Sequence, residues 1–143
     1  KVRPGVTWNN GDAFTADDVV RNFARWADGN VEGNSMAGRC TPLINAETKT
    51  VADGAVTVVD ASTVLLKLSG PDVTLIAGFA DYPAAIVHTS YENGDPTQTP
   101  GTGPYLPETV EVGVKAHLVS ILDQHLDGAV PRLRRRHAAQ GPA

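Results

Sequence analysis

Apolar residues recur at helical spacing along residues 15–28. They form one stripe: Val19, Val20, Phe23, Trp26 and Ala27. Apolar positions three and four apart are typical of an amphipathic helix that packs one face on a core. Thr15 is a suitable N-cap, and Asp18 lies where the acid of a capping box belongs. Gly29 follows the stripe as the residue expected to stop the helix. The pattern therefore predicts a helix over residues 15–28.

A tight turn directly precedes this helix. Val6 to Trp8 favour a strand, and Asn10-Gly11 then suits a turn, because both residue types tolerate the positive φ angles that tight turns require. Asp17 and Asp18 lie in the first helical turn, where the helix dipole favours anions. Adjacent helical residues point about 100° apart, so these two carboxylates cannot share a substrate. We interpret the turn and the helix start as scaffold without chemistry of its own.

Apolar residues at every second position mark residues 55–68. They are Val56, Val58, Val64, Leu66 and Leu68. Such alternation predicts two half-buried strands, joined at residues 60–62. A short helical piece is predicted over residues 71–79, and further strands over 84–90 and 110–119. Residues 93–105 are dense in Gly and Pro and are predicted to be loop.

Together these elements predict an α+β fold with a small mixed or antiparallel sheet and two or more short helices. Length and composition fit one globular domain, since the chain has 143 residues, of which 41% are hydrophobic and 20% charged. The net charge of −4 argues against a nucleic-acid partner. The chain contains no stretch of 18 apolar residues and no signal-peptide pattern, so neither a membrane span nor a leader is expected within it.

Two motifs resemble a known family. The stretch "WNNGDAFTADDV", residues 8–19, and the stretch "GTGPY", residues 101–105, occur in the order found in the extracytoplasmic solute-binding proteins of peptide and nickel ABC importers, family 5. Ala13 stands where that family often has Pro. The resemblance covers about residues 5–131 and implies a part of a bilobal, periplasmic-binding-protein-like fold.

The resemblance also implies how the chain is organised. Residues 1–131 would be a fragment of the N-terminal lobe, and residues 132–143 a basic tail that we expect to be disordered. The implied function is non-covalent capture of a peptide or a similar small solute, followed by delivery to the membrane subunits of an ABC permease. The implied location is periplasmic or otherwise extracytoplasmic. We expect the exposed surface of a single lobe to support a homodimer.

No residue pattern in the chain indicates catalysis. His88, His117, His125 and His137 lie at no zinc-ligand spacing, and the single cysteine, Cys40, is expected to be a small half-buried side chain. The Gly101 to Gly103 stretch lacks the Lys-Ser/Thr pair of a phosphate-binding loop, and there is no nucleophile elbow. We therefore expect no enzyme activity, no metal and no cofactor.

Recognition of a solute is the remaining chemistry. The loop that corresponds to a ligand contact in the resembled family contains Asn34, Ser35, Met36 and Arg39, which we take as candidate ligand-binding residues. Met provides an adaptable apolar wall, and Arg can hold a carboxylate through two hydrogen bonds. A mobile surface loop without a ligand is the competing interpretation. At the level of the whole chain, the alternative function is a stand-alone structural, interaction or effector-sensing domain on the same fold.

Overall fold

The computed structural model describes residues 1–91 and 97–121, and the elements are named within these ranges. They are α1 (Ala16–Trp26), β1 (Val56–Asp60), β2 (Thr63–Leu66), α2 (Leu75–Gly78), β3 (Tyr105–Glu111) and β4 (Lys115–Ser120), with 3₁₀ turns at Thr41–Leu43 and Tyr82–Ala84. The strands pair as two antiparallel hairpins, β1–β2 and β3–β4. The predicted α+β class is confirmed.

The chain divides into two compact units. The first is Lys1–Gly103 and contains α1, α2 and the β1–β2 hairpin; the second begins at Pro104 and contains the β3–β4 hairpin. In the second unit β3 pairs with β4 from Tyr105 opposite Ser120 to Glu111 opposite Lys115. The chain reverses through Gly113, whose φ is +77°. The strand predicted over residues 110–119 is therefore two strands with a turn between them.

The turn before α1 forms as predicted. The Trp8 carbonyl accepts a hydrogen bond from Gly11 N–H, and Trp8 N–H donates to the Asp12 carbonyl. An antiparallel bridge between Thr7 and Ala13 encloses the turn. Gly11 has a φ of +95°, while Asn10 does not have a positive φ. The glycine alone therefore supplies the left-handed backbone of this turn.

The helix α1 begins as predicted but ends differently. Thr15 is its N-cap, and the Thr15 N–H donates to the Asp18 carboxylate at 2.9 Å. Gly29 does not adopt a positive φ and so is not a left-handed cap. The lack of a side chain matters for another reason: a Cβ at Gly29 would lie 3.3 Å from Lys49, which is a close contact. The side-chain amide of Asn34 instead donates to the carbonyls of Arg25, Trp26 and Asp28, which satisfies acceptors at the helix end.

A small apolar core lies between α1, the following loops and the β1–β2 hairpin. Phe23 meets Trp26 and Phe79 in edge-to-face contacts, each with ring centroids 5.1 Å apart. Pairs of this kind contribute about 0.5–1.5 kcal/mol beyond their buried area. The other fully buried members include Met36, Cys40, Leu43 and Leu75. The loop between α1 and β1 therefore supplies much of the core, although it has no regular pattern.

The β1–β2 hairpin confirms the predicted strands and most of the predicted alternation. Val56 lies opposite Leu66 and Val58 opposite Val64. Val56, Leu66 and Leu68 pack against the core, whereas Val58 is 39% exposed. Val58 lies where the register shifts before Asp60, so the inward face of β1 is not continued to its end.

The predicted helix over residues 71–79 is shorter in the structure. It covers only Leu75–Gly78. Asp72 lies ahead of it and accepts hydrogen bonds from the N–H groups of Thr74 and Leu75. These local bonds hold residues 72–74 in a turn, which competes with an earlier helix start.

The predicted strand over residues 84–90 is wrong. Residues 85–88 belong to no helix or strand, and none of the strands in the described ranges pairs with them. The Asn22 side chain takes the place of one: its Oδ1 accepts from Val87 N–H at 3.0 Å, and its Nδ2 donates to the Val87 carbonyl at 2.9 Å. Arg25 donates to the carbonyl of Ala85. Such a segment needs partners for its backbone, and here α1 supplies them through side chains.

Two further predictions fall outside the described residues. The basic tail, residues 132–143, and the two histidines His125 and His137 lie beyond Ile121. The loop predicted over residues 93–105 is described from residue 97 onwards, where it consists of turns and bends up to residue 104. Within it the Gly101 carbonyl accepts a hydrogen bond from Asn9 N–H.

Replacing Asn22 tests the link between α1 and residues 85–88. Asn22 is 1% exposed, and all its amide hydrogen-bonding atoms are used. We expect Asn22→Ala to lower the free energy of unfolding by about 1–3 kcal/mol, because the Val87 N–H loses its acceptor, while the Val87 carbonyl keeps its hydrogen bond from Arg21. Urea unfolding followed by far-UV circular dichroism measures it. Asn30→Ala, which removes exposed hydrogen bonds only, is the control and should cost less than about 1 kcal/mol. Equal losses in the two variants would contradict the role given to Asn22.

Replacing Gly11 tests the turn. An alanine at a φ of +95° is strained even though the surrounding space is open, so Gly11→Ala should cost about 1–2 kcal/mol. Gly70 also has open space but no positive φ, and Gly70→Ala should change the stability by no more than about 0.5 kcal/mol. Thermal unfolding of both variants gives the comparison. A Gly11→Ala protein as stable as the Gly70→Ala protein would show that the turn does not need its glycine.

Candidate functional site

A cluster of ionisable side chains joins the turn to α1. Asp18 is 8% exposed and accepts hydrogen bonds from Thr15 N–H, from Trp8 Nε1 at 3.3 Å and from Arg21 at 3.0 Å. Burial raises the pKa of Asp18, but these donors outweigh it, so the pKa lies below its usual value. A carboxylate held ionised by three donors is a structural anion rather than a general acid.

His88 extends the cluster to the segment after α2. Its ring is 8% exposed and packs edge-on against Trp8, with centroids 5.0 Å apart. Ser90 N–H donates to Nδ1, so the neutral ring carries its proton on Nε2, which lies 3.2 Å from the Asp12 carboxylate. Both ring nitrogens are engaged, and no group of three potential metal ligands occurs in residues 1–91 or 97–121. The Ser90 hydroxyl also lies 2.9 Å from Nδ1, so the cluster ties three segments together through hydrogen bonds.

An apolar groove runs beside this cluster, with a volume of about 390 Å³. It is lined by Lys1, Val2, Arg3, Val6, Phe14, Val19, Phe23, Val64, Leu66, Ile76, Phe79 and Ile86. The only polar side chains among them are the two cations. Specific small-molecule sites combine apolar walls with a few convergent polar groups. This groove has the apolar walls, but its polar side chains are limited to Lys1 and Arg3.

A second cavity, of about 460 Å³, lies at the C-terminal end of α1, and we call it the helix-end cavity. Its lining is mixed: Arg25, Trp26, Val31, Glu32, Gly33, Asn34, Ser35, Met36, Pro83 and Tyr91. This volume is within the range of small-molecule sites, about 300–1,000 Å³. The helix end brings Arg25 and Trp26, the loop brings residues 31–36, and the 3₁₀ turn brings Pro83.

Arg25 is the fixed charge of the helix-end cavity. Its Nε donates to Asn22 Oδ1 at 3.3 Å, one Nη donates to the Ala85 carbonyl, and the guanidinium lies 6.0 Å from the centre of the Tyr91 ring. Burial lowers the pKa of Arg25, with a smaller opposing effect of Tyr91. Among the described residues no carboxylate forms an ion pair with it. The cation is therefore positioned by neutral groups.

Three of the four predicted site residues line this cavity. The Asn34 side chain donates to the carbonyls at the end of α1 and accepts from Met36 N–H, so its hydrogen bonds shape the wall of the cavity. Ser35 is exposed, and Met36 is 2% exposed and belongs to the core. Their contact with a ligand stays a prediction.

Arg39, the fourth predicted site residue, lies elsewhere. It does not line the helix-end cavity but forms an ion pair with Asp81. The hydrogen bond from Arg39 is the main cause of the lowered pKa of Asp81. A side chain expected to hold a ligand carboxylate thus holds a carboxylate of the chain itself.

The structure adds three residues that the sequence did not single out as candidate ligand contacts: Arg25, Glu32 and Tyr91. The sequence contained an indication for Arg25, because Arg25 follows Arg21 by four residues on the polar side of the helix. No sequence pattern indicated Glu32 or Tyr91, because they lie far apart in irregular segments and only the fold brings them to the same cavity.

Cys40 is buried completely rather than half-buried as expected. Burial raises the pKa of its thiol, which disfavours the reactive thiolate. Of the helices in the described ranges, none has both the length and the apolar character that crossing a bilayer requires.

Comparison with protein families identifies the class. Residues 1–125 match the family model described as bacterial extracellular solute-binding proteins, family 5 Middle. The chain belongs to this family of bacterial solute-binding proteins. Proteins of this family are the extracytoplasmic solute-binding components of ABC importers. No curated protein and no solved structure gave a match.

The pH dependence of stability tests the Asp18 cluster. Since the pKa of Asp18 is lowered by folding, its contribution is present above its ordinary pKa of 3.8 and is lost as the pH falls through the folded value. We expect Asp18→Asn to cost about 1–3 kcal/mol at pH 7 and progressively less below pH 4. Chemical denaturation at a series of pH values measures the difference. The exposed neighbour Asp17 is the matched control, and a cost for Asp18→Asn that is independent of pH would count against the cluster.

Proposed function

We propose that this solute-binding protein captures peptides for an ABC importer. The family match over residues 1–125 carries the proposal, and the two motifs at residues 8–19 and 101–105 support it through their resemblance to the peptide- and nickel-type importers. The mechanism is non-covalent: a lobe holds one side of the solute, a second lobe closes on it, and the complex delivers the solute to the permease. A buried ligand needs no reactive group, only complementary walls.

We further propose that residues 1–131 are a fragment of the N-terminal lobe of such a protein. The family match over residues 1–125 supports the assignment to such a protein, and the lobe is assigned by the resemblance of residues 8–19 and 101–105. The helix-end cavity, with Asn34, Ser35 and Met36 in its wall, is the part of this lobe that we assign to solute contact. Arg39 joins this contact only if it releases Asp81. The homodimer through the exposed surface stays a prediction, and so does the disordered basic tail.

Uptake by living cells tests the peptide assignment. Deleting the gene that encodes this chain should reduce the uptake of isotope-labelled tri- and tetrapeptides to background, because an importer without its binding component is not supplied with solute. Re-expression from a plasmid should restore the uptake. Scintillation counting of washed cells measures it.

Uptake of a labelled sugar by the same cells is the control and should not change. Peptide uptake that is unaffected by the deletion would overturn the peptide assignment. Loss of sugar uptake together with peptide uptake would point to a general defect of the cells and would also remove support for it.

A further inference from the structure

Two opposite charges line the helix-end cavity without pairing with each other. The Arg25 guanidinium and the Glu32 carboxylate both belong to its lining, yet their charged atoms are not within the 4.0 Å of an ion pair. Neither forms an ion pair with any other residue in the described ranges. A cavity with one unpaired cation and one unpaired anion is complementary to a ligand that carries both charges.

The Arg25 side chain is held ready for an anion. Asn22, the Ala85 carbonyl and the Tyr91 ring fix its position but leave its charge uncompensated. Two contacts use Nε and one Nη, so further N–H donors of the guanidinium remain for a ligand. A carboxylate is the anion whose geometry suits this planar donor set.

The loop and the core also bring apolar residues to the lining, beside the polar Asn34 and Ser35. Val31 is 55% exposed and so is available for contact, and Met36, Trp26 and Pro83 continue the apolar surface. An aliphatic side chain of a ligand would find partners here, and the methionine adapts to its shape.

We propose that the helix-end cavity binds a free α-amino acid zwitterion with an aliphatic side chain. The carboxylate contacts Arg25, the ammonium group contacts Glu32, and the side chain packs on Val31 and Met36. This inference rests on the proposed function, since it names the ligand chemistry of the cavity assigned to solute contact.

Three compounds with one aliphatic skeleton separate the two charges. L-Leucine carries both, 4-methylpentanoate only the carboxylate, and 3-methylbutylamine only the ammonium group. In ¹⁵N–¹H NMR titrations of the full chain we expect leucine to shift the backbone signals of residues 31–36 and Tyr91 saturably in the millimolar range. Each single-charge analogue should bind about tenfold more weakly, because it loses one charged hydrogen-bonding group.

Two variants locate the charges. Arg25→Gln should weaken leucine about tenfold and leave the amine unchanged, whereas Glu32→Gln should weaken leucine equally and leave 4-methylpentanoate unchanged. Among the described residues Glu32 forms no ion pair or side-chain hydrogen bond that its replacement would break, so its variant tests the site even if Arg25→Gln is poorly folded. Arg3→Gln and Glu47→Gln, which lie outside the cavity, are the matched controls and should bind like the wild type.

Equal affinity for the three compounds, or the absence of saturable shifts at residues 31–36 with tens of millimolar leucine, would overturn the zwitterion site. Either result together with peptide uptake that depends on the gene would leave the importer assignment in place. Leucine binding with the expected charge pattern, in cells whose peptide uptake does not depend on the gene, would instead overturn the peptide assignment alone.

Discussion

The Val87 peptide group is bound on both sides by one buried side chain, the amide of Asn22, and the first unit depends on this interaction. The same amide accepts from Arg25 Nε and donates to the Asp18 carbonyl, so one group connects an irregular segment, a helix and a cavity wall. A buried amide with every atom satisfied is rigid, because any movement leaves a donor or an acceptor without a partner. The apolar core beside it is small, so these directional bonds fix the geometry that packing alone leaves loose.

The polar face of α1 follows from this arrangement. Asp18, Arg21, Asn22 and Arg25 recur at helical spacing, as the apolar stripe does, and all four contact other parts of the fold. A polar stripe normally faces water. Here it faces the backbone of residues 85–87 and the turn at Trp8, whose peptide and indole groups need hydrogen-bonding partners. The helix thus has two buried faces, one apolar for the core and one polar for irregular backbone.

This second face explains which parts of the fold the sequence could predict. The α1 helix, the turn at Gly11 and the β1–β2 hairpin were predictable, since propensity and periodicity act within each segment. Residues 84–90 have the composition of a strand, but their partners are side chains 65 residues away, which no local pattern reveals. The surroundings of the candidate site residues could not be predicted either, and their contact with a ligand stays a prediction. Asn34 and Arg39 were chosen for their chemistry, yet the fold commits Asn34 to carbonyls at the end of α1 and Arg39 to Asp81.

Arg25 lies in the last turn of α1, where the polar face reaches the helix-end cavity. Its neighbours along the face use their charge or amide within the chain: Asp18 meets Arg21, and Asn22 meets Val87. Arg25 has the same backbone contacts but, in the described part of the chain, no ionised partner. A charge that is both positioned and uncompensated suits a charged ligand, because a preorganised group loses little entropy on binding. In the zwitterion site proposed above, the rigidity that Asn22 gives to the fold would therefore hold Arg25 in place for the ligand carboxylate.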